Sequence, residues 1–300
     1  MRYNKDAGFG RLYAESVRLG GSGKVFVVGK SALAQRDIYT ELFGTDPDGK
    51  SRYAATIAGA LSQCTANAGD TIYVIPGHTE DIAGAAGIVL NIAGVNIIGL
   101  GQGSIRPTIS FTTAITAQMT VTAANVTIKN MVFTCAFDAI TAMISVTGAD
   151  VTFDGCEFNT NSATVGTVLG ILTAATATRF KVVNSRFLGP AANTGTTVTA
   201  QIKHEVGVDY VFQNNYHTGK MTQAILNATA LLRGLIDNNR FVVATGTVAI
   251  SMHASSTPFI SNNRMNVASG TAPIVAAAGF MSGNAYSAAA GVTAGTAQTF

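Results

Sequence analysis

The chain contains 300 residues, which is enough for one large or two small domains with a sizeable core. Charged residues make up 12 % of it, about half of the usual share, whereas apolar residues reach 47 % and are dispersed along the chain. This composition argues against a disordered chain. The most apolar window, Ala83–Gly101, is interrupted by Asn and Gly, so it predicts buried strands and argues against a membrane partner.

The net charge of +3 lies entirely at the beginning of the chain. Residues 1–53 hold nine Lys/Arg and six Asp/Glu, whereas residues 54–300 hold ten of each. After Arg264 the remaining 36 residues carry no charged side chain. Because a solvated monomer rarely leaves such a stretch bare, we expect that end of the chain to be buried against other chains.

Residues 1–50 share no pattern with the rest of the chain and are punctuated by Gly. Fifty residues barely support a core, so we predict an attachment arm that docks onto a protein surface. Nucleic acid is disfavoured as a partner because the aromatic residues of the arm follow no binding motif. The Gly-Lys-Ser at 29–31 lacks the earlier glycine of a phosphate-binding loop, and Thr45–Ser51 lacks the spaced ligands of a calcium loop.

The segment 51–68 predicts a capping α-helix. It places Ala54, Ile57, Ala58, Leu61 and Cys64 on one helical face, so Cys64 is interpreted as a core residue. With Cys135 and Cys156 it forms an odd set without metal-ligand spacing, which indicates free thiols from a reducing cytosol. No metal or cofactor is predicted, and the opening residues contain no apolar signal segment.

From residue 69 to 290 the chain repeats one short segment. The clearest copies are IKNMVF (128–133), FDGCEF (153–158), VVNSRF (182–187), FQNNYH (212–217), IDNNRF (236–241), ISNNRM (260–265) and MSGNAY (281–286), and weaker copies begin at Thr71 and Val95. Successive copies are 25, 29, 30, 24, 24 and 21 residues apart, and a second apolar cluster precedes every copy after the first. Repeats of this length with short β-branched segments and no helical period predict a β-solenoid.

The repeat predicts which side chains face the interior. In each coil the first residue of the copy points inward, for example Ile128 and Phe153, and its two neighbours point outward. Nine rungs of about 4.8 Å would make a rod about 43 Å long. A tail, residues 291–300, follows the last copy.

The third position of the copies predicts a sharp corner. Its members are Asn130, Gly155, Asn184, Asn214, Asn238, Asn262 and Gly283. Asn and Gly tolerate a positive φ best, and stacked side-chain amides can donate and accept along a column. We therefore interpret the asparagines as a structural ladder and predict no ligand site there.

This pattern resembles the pectate-lyase-like superfamily. The short capping helix followed by GDTIYVIPG (69–77) is a frequent start for that fold. The resemblance implies a single-stranded right-handed parallel β-helix and carries little information on function.

Enzymes of this fold act on polysaccharides, and those that hydrolyse them need a pair of carboxylates. After residue 82 the acids are only Asp138, Asp150, Asp154, Glu157, Glu205, Asp209 and Asp237. The register pairs Asp154 with Lys129 and Glu157 with Arg186, which leaves Glu205 and Asp209 as the weak catalytic alternative. His78 with Glu80 could form an acid–base pair, but a polar corner is favoured, and His217 is interpreted as a packed ring.

The outward residue before each copy becomes apolar along the chain, ending in Leu235, Phe259 and Phe280. Exposed apolar patches mark interfaces, so we predict that these three side chains contact another subunit or a C-terminal segment.

An N-terminal arm, a capping helix, the PGHTE entry (76–80) and a weakly charged β-helix resemble β-helical structural proteins of tailed-phage virions. That resemblance implies a non-enzymatic decoration or fibre protein, assembled as a homotrimer, located in the virion after synthesis in the host cytoplasm, and attached through residues 1–50 to a protein such as the major capsid protein. Two alternatives stay open: a tailspike-like receptor-binding protein or polysaccharide depolymerase, and a cellular carbohydrate-binding β-helix.

Overall fold

The computed structural model describes residues 23–30, 51–85, 87–160, 162, 164–192, 194–205, 207–244, 248–267, 273–275, 279–288 and 296–298. They form a right-handed parallel β-helix of about nine turns, which confirms the predicted fold class. Most of the predicted arm and most of the predicted tail lie outside these residues.

Three sheets run along the rod. The first consists of β1 (Val25–Val28), β2 (Tyr53–Ala54), β3 (Thr71–Val74), β6 (Asn96–Gly99), β9 (Thr127–Lys129), β12 (Thr152–Asp154), β15 (Lys181–Val183), β18 (Gly207–Gln213), β21 (Leu231–Asp237), β24 (Thr257–Ser261) and β27 (Phe280–Ser282). The second consists of β4 (Thr79–Ile82), β7 (Thr108–Phe111), β10 (Val132–Cys135), β13 (Glu157–Asn159), β16 (Arg186–Leu188), β19 (Tyr216–Gly219), β22 (Arg240–Val243), β25 (Arg264–Val267), β28 (Asn284–Ala288) and β29 (Thr296–Gln298). The third consists of β5 (Ile88–Leu90), β8 (Met119–Val121), β11 (Ile140–Val146), β14 (Thr167–Thr173), β17 (Val198–His204), β20 (Met221–Asn227), β23 (Ile250–Ser251) and β26 (Ile274–Val275).

The strand register agrees with the alignment of the seven copies. Ile128 pairs with Phe153, Phe153 with Val182, and the pairing continues through Phe212, Ile236 and Ile260 to Met281. The first residue of each copy is buried in all of them except the last, where the rod ends. Parallel strands of this kind bury one face in the coil interior and leave the other outside.

The N-terminal end differs from the prediction in two ways. The predicted arm contributes Val25–Val28 to the first sheet, where this buried strand pairs with Tyr53–Ala54 on one side and Thr71–Val74 on the other. The capping helix, α1, is only Ile57–Leu61, because Tyr53–Ala54 is extended and the chain turns after Leu61. Ala58, predicted on the buried face, is exposed.

Hydrogen bonds hold α1 over the open end of the coil. The Thr56 hydroxyl accepts from the Gly59 amide at 3.1 Å, and Glu80 Oε2 accepts from the Ile57 amide at 3.0 Å. Ile57, Ala60 and Leu61 are buried against the first rungs. The helix therefore covers apolar surface that the first coil would otherwise expose.

At the other end, Thr296–Gln298 from the predicted tail pairs antiparallel with Asn284–Tyr286. Every other strand pair in the described part of the chain is parallel.

A continuous ring stack fills the coil beneath the second sheet. Phe133, Phe158, Phe187, His217 and Phe241 stack in sequence with centroid distances of 5.3, 4.4, 4.5 and 4.8 Å. His217 replaces one Phe of this column, and its Nδ1 bonds to Gln201 Oε1 at 2.7 Å. Burial lowers the pKa of His217 to about 3, so its ring is neutral near pH 7.

Candidate functional site

The corner asparagines have the backbone geometry that a sharp turn requires. Asn130, Asn184, Asn214, Asn238 and Asn262 have φ values between 51° and 57°. Asn238 donates to Asn214 Oδ1 at 2.8 Å, and Asn214 donates to Asn184 Oδ1 at 3.3 Å. The amide ladder is limited to these three members, because Asn130 donates to backbone carbonyls of Gly99 and Gly101 and Asn262 donates to Asp237.

A second asparagine column lies one residue further along and is fully buried. Its members are Asn215, Asn239, Asn263 and Asn284. Each Oδ1 accepts the backbone amide of the preceding rung at 2.8–3.0 Å, and each Nδ2 donates to a backbone carbonyl of the first sheet at 2.8–2.9 Å. These amides satisfy backbone groups that water cannot reach. The repeated NN pairs in the sequence indicate this second column, but the ladder interpretation concerns only the first member of each pair.

Another column of positive-φ residues carries alternating charge, and its members lie just before or within strands of the first sheet. Asp150, Arg179, Asp209 and Arg233 have φ values of 57°, 55°, 59° and 53°. Arg179 donates to both oxygens of Asp150 at 2.6 Å, and Arg233 donates to those of Asp209 at 2.8 and 3.1 Å. These hydrogen bonds hold the pKa of Asp150 and of Asp209 below the usual value.

The weak catalytic candidates are each neutralised by a cation of their own. Asp209 is held by Arg233, and Glu205 Oε1 lies 2.6 Å from Lys203 Nζ. The neighbouring His204 is fully buried and bonds to the Thr173 hydroxyl, and burial lowers its pKa to about 4. The lowered pKa of Asp209 and the buried neutral imidazole of His204 do not suit general acid catalysis at neutral pH.

Two further acids, Asp154 and Glu157, are engaged in ion pairs. Lys129 Nζ lies 3.3 Å from Asp154, and Arg186 lies 3.6 Å from Glu157, as the register predicted. Arg106, two rungs away from Glu157 along the second sheet, adds a 2.7 Å contact to the same Glu157 oxygen. These pairs fix neighbouring coils to one another.

The other candidate residues, His78 and the three cysteines, have contacts that stabilise the fold. His78 is buried, and its Nε2 lies 3.3 Å from Glu80 Oε2, the oxygen that also accepts from α1. Burial raises the pKa of the Cys64 thiol to about 12, of Cys135 to about 11 and of Cys156 to about 12, which suppresses the reactive thiolate. Among the described residues no group of three His, Cys, Asp or Glu side chains is placed to bind a metal ion.

The outward column predicted as an interface lies on the first sheet. We call Val211, Leu235, Phe259 and Phe280 the apolar column, and they pair in register on four successive rungs. Phe259 is 42 % exposed and Phe280 is 57 % exposed. Their rings stack on each other with centroids 4.9 Å apart and an interplanar angle of 13°.

A groove of about 530 Å³ runs along the apolar column. Tyr210 and Gly234 line it, and the Asp209–Arg233 ion pair stands at its side. A Cβ atom on Gly234 would lie 1.9 Å from Tyr210 Cζ, so only glycine lets the rung pass over that ring.

No protein-family model and no curated protein matches the chain. Among solved structures, it is similar to a pectin methylesterase mutant in complex with a hexasaccharide, with 12 % sequence identity and a TM-score of 0.32. The match covers 80 % of this chain, and the chain spans 65 % of the length of that protein.

Within the described part of the chain, every helix is too short or too polar to cross a bilayer. Two surface features stand out: the apolar column on the first sheet, and the exposed residues Arg240 and Arg264 on the second sheet.

Proposed function

We propose that this chain is a non-enzymatic structural protein that works as a self-associated rod, with the apolar column as its contact surface. The observation that carries this proposal is the exposed, stacked Phe259–Phe280 pair in a groove parallel to the rod axis. Exposed aromatic surface of this kind is costly in water and is typical of interfaces.

A second copy of the same chain suits this surface. The apolar column is straight, because it follows the register of four parallel strands, and two such columns can lie side by side along the rod. The nearby charges of Asp209 and Arg233 already neutralise each other, so they would not repel a copy. The absence of charged side chains after Arg264 in the sequence is consistent with packing at this end, and we expect a homotrimer.

The assignment as non-enzymatic is supported by the partners of the acids. Glu205 and Asp209 each face a cation, and Asp154 and Glu157 are held in cross-rung pairs. A glycosidase needs one carboxyl group that keeps its proton near neutral pH, and the lowered pKa of Asp209 works against that role.

We further propose a location in a tailed-phage virion. This rests on the resemblance of the chain layout and on the rod shape, which suits a decoration or fibre protein. Attachment to the particle, for instance to the major capsid protein, would use residues 1–50, most of which lie outside the described residues.

A second candidate function is receptor-glycan binding in the same groove. The specific observation in its favour is the pair of aromatic rings at an open groove of about 530 Å³. Aromatic side chains present a flat apolar face, and such a face can pack against the apolar face of a sugar ring.

The molar mass of the full chain in solution distinguishes these functions. We expect light scattering on the wild type to give three times the chain mass, and Phe259→Ser/Phe280→Ser to shift it to a single chain. The matched control is Ile105→Ser/Ile115→Ser, which removes two apolar side chains of similar exposure away from the groove and should keep the trimer.

A trimeric Phe259→Ser/Phe280→Ser variant would overturn the proposed contact surface. A monomeric wild type that binds a capsular polysaccharide, with binding lost in the Phe variant only, would replace self-association by the second candidate.

A further inference from the structure

The second sheet carries an outward pair of arginines that has no acidic partner among the described residues. Arg240 and Arg264 pair in register on adjacent strands and are both exposed. Adjacent rungs are about 4.8 Å apart, and like charges directly opposite each other destabilise a sheet. The chain therefore tolerates a local repulsion at this place.

This repulsion is unusual for the molecule. Four other cations that face a neighbouring rung meet an acid there, in the pairs Lys129–Asp154, Arg179–Asp150, Arg186–Glu157 and Arg233–Asp209, and Lys181 stands opposite uncharged residues on both sides. An unmatched pair among so many matched ones indicates a site where the compensating charge comes from a ligand.

The surroundings of the two arginines suit a small anionic group. The guanidinium of Arg240 lies over the ring of Tyr216, 5.6 Å from its centroid, on the side away from Arg264. This contact orients Arg240 and leaves space between the two cations. A groove of about 610 Å³ includes both arginines, and Asn266 and Ser287 on the neighbouring outward positions supply further donors.

We infer that Arg240 and Arg264 form a binding site for a tetrahedral dianion, such as a phosphomonoester carried by a sugar or free phosphate. A doubly charged group matches the two positive charges, and its three terminal oxygens can accept from both guanidinium groups at once. A single carboxylate matches one guanidinium only.

Single-stranded nucleic acid is a poorer fit for this site. Such ligands need exposed aromatic platforms and a long basic track, whereas the face of Tyr216 is occupied by Arg240 and the track holds two unmatched cations. The inference is independent of the proposed function, since it concerns another sheet.

Calorimetric titration of the full chain at pH 7.5 and constant ionic strength tests the site. The probes are glucose 6-phosphate, inorganic phosphate and glucuronate. We expect both phosphates to bind and glucuronate to bind at least tenfold more weakly. Arg264→Gln or Arg240→Gln should weaken phosphate binding about tenfold or more, because each variant loses hydrogen bonds between charged groups.

The matched control is Arg179→Gln, which removes one exposed, acid-paired cation from another face and should leave phosphate binding within twofold. Thermal unfolding without ligand provides a second measurement, since Arg264→Gln should keep or raise the midpoint as the repulsion is relieved.

Tighter binding of glucose 6-phosphate than of phosphate would assign a phosphorylated glycan, and equal binding would assign the free dianion. Equal binding of glucuronate, or equal losses in Arg179→Gln, would overturn the site.

Discussion

At the scale of single residues, Gly155 and Gly234 occupy positions that favour glycine for two different reasons. Gly155 lies at a corner with φ +64°, and a Cβ built there meets no atom within 4 Å. Gly234 lies over Tyr210, and a Cβ built there meets the ring. Gly155 therefore suits its position because of the positive φ, whereas Gly234 suits its position because a side chain would clash with Tyr210.

We predict opposite outcomes for substitution of these two glycines. Gly234→Ala forces Tyr210 out of its buried position and should lower the free energy of unfolding by about 1–3 kcal/mol or more. Gly155→Asn restores the residue used at the equivalent corners and should change stability by less than about 0.5 kcal/mol or increase it. Chemical denaturation of both variants checks this, and equal losses would contradict it.

At the scale of the repeated element, each NN pair combines two functions. The first asparagine turns the chain at the surface, and the second bonds the backbone of adjacent coils inside. The first member of each pair, at the positive-φ corner, is exposed, and the second member is buried.

We therefore expect Asn239→Ala to destabilise the rod more than Asn238→Ala. Removal of the Asn239 amide leaves the Asn215 N–H without its acceptor in the interior, at a cost of about 1–3 kcal/mol, and also removes the hydrogen bond to the Phe212 carbonyl, at a cost of about 1 kcal/mol. Asn238→Ala loses one exposed amide bond and places Ala at a positive φ, which costs about 1–3 kcal/mol in total. A comparison of unfolding midpoints tests the order, and a larger loss in Asn238→Ala would refute it.

At the scale of the whole molecule, two buried histidines make the rod sensitive to acid. Burial lowers the pKa of His204 to about 4 and of His217 to about 3, both below the ordinary value of about 6.5. Above pH 6.5 the two histidines are mostly unprotonated in both the folded and the unfolded chain, so they do not affect the free energy of unfolding. As the pH falls below 6.5 the unfolded chain takes up protons that the folded chain excludes, and stability decreases by up to about 1.4 kcal/mol per pH unit for each histidine.

We predict that His217→Phe reduces this pH dependence. Phe continues the ring stack of Phe187 and Phe241 and has no proton to gain, so the slope between pH 6.5 and 5 should fall by about half. At pH 7.5 the variant should lose some stability because Gln201 Oε1 loses its partner. Unfolding curves at several pH values check both effects, and an unchanged slope would show that His217 binds protons equally in the folded and the unfolded chain.

The sequence by itself determined the parallel coil and its register. Inward apolar residues recur once per coil, and each rung repeats the alternation of the previous one, so Ile128, Phe153 and Val182 had to share a face. The cross-rung pair of Lys129 with Asp154 followed from the same register.

Only the tertiary structure decided which asparagine is buried, how the charges are matched and where the coil begins. The orientation of a side chain at a positive-φ corner depends on the turn, and partners such as Arg106 and Glu157 lie two rungs apart across loops of variable length. Val25–Val28 joins the first sheet because a buried edge of hydrogen-bonding groups was available there, and such an edge exists only once the coil has formed.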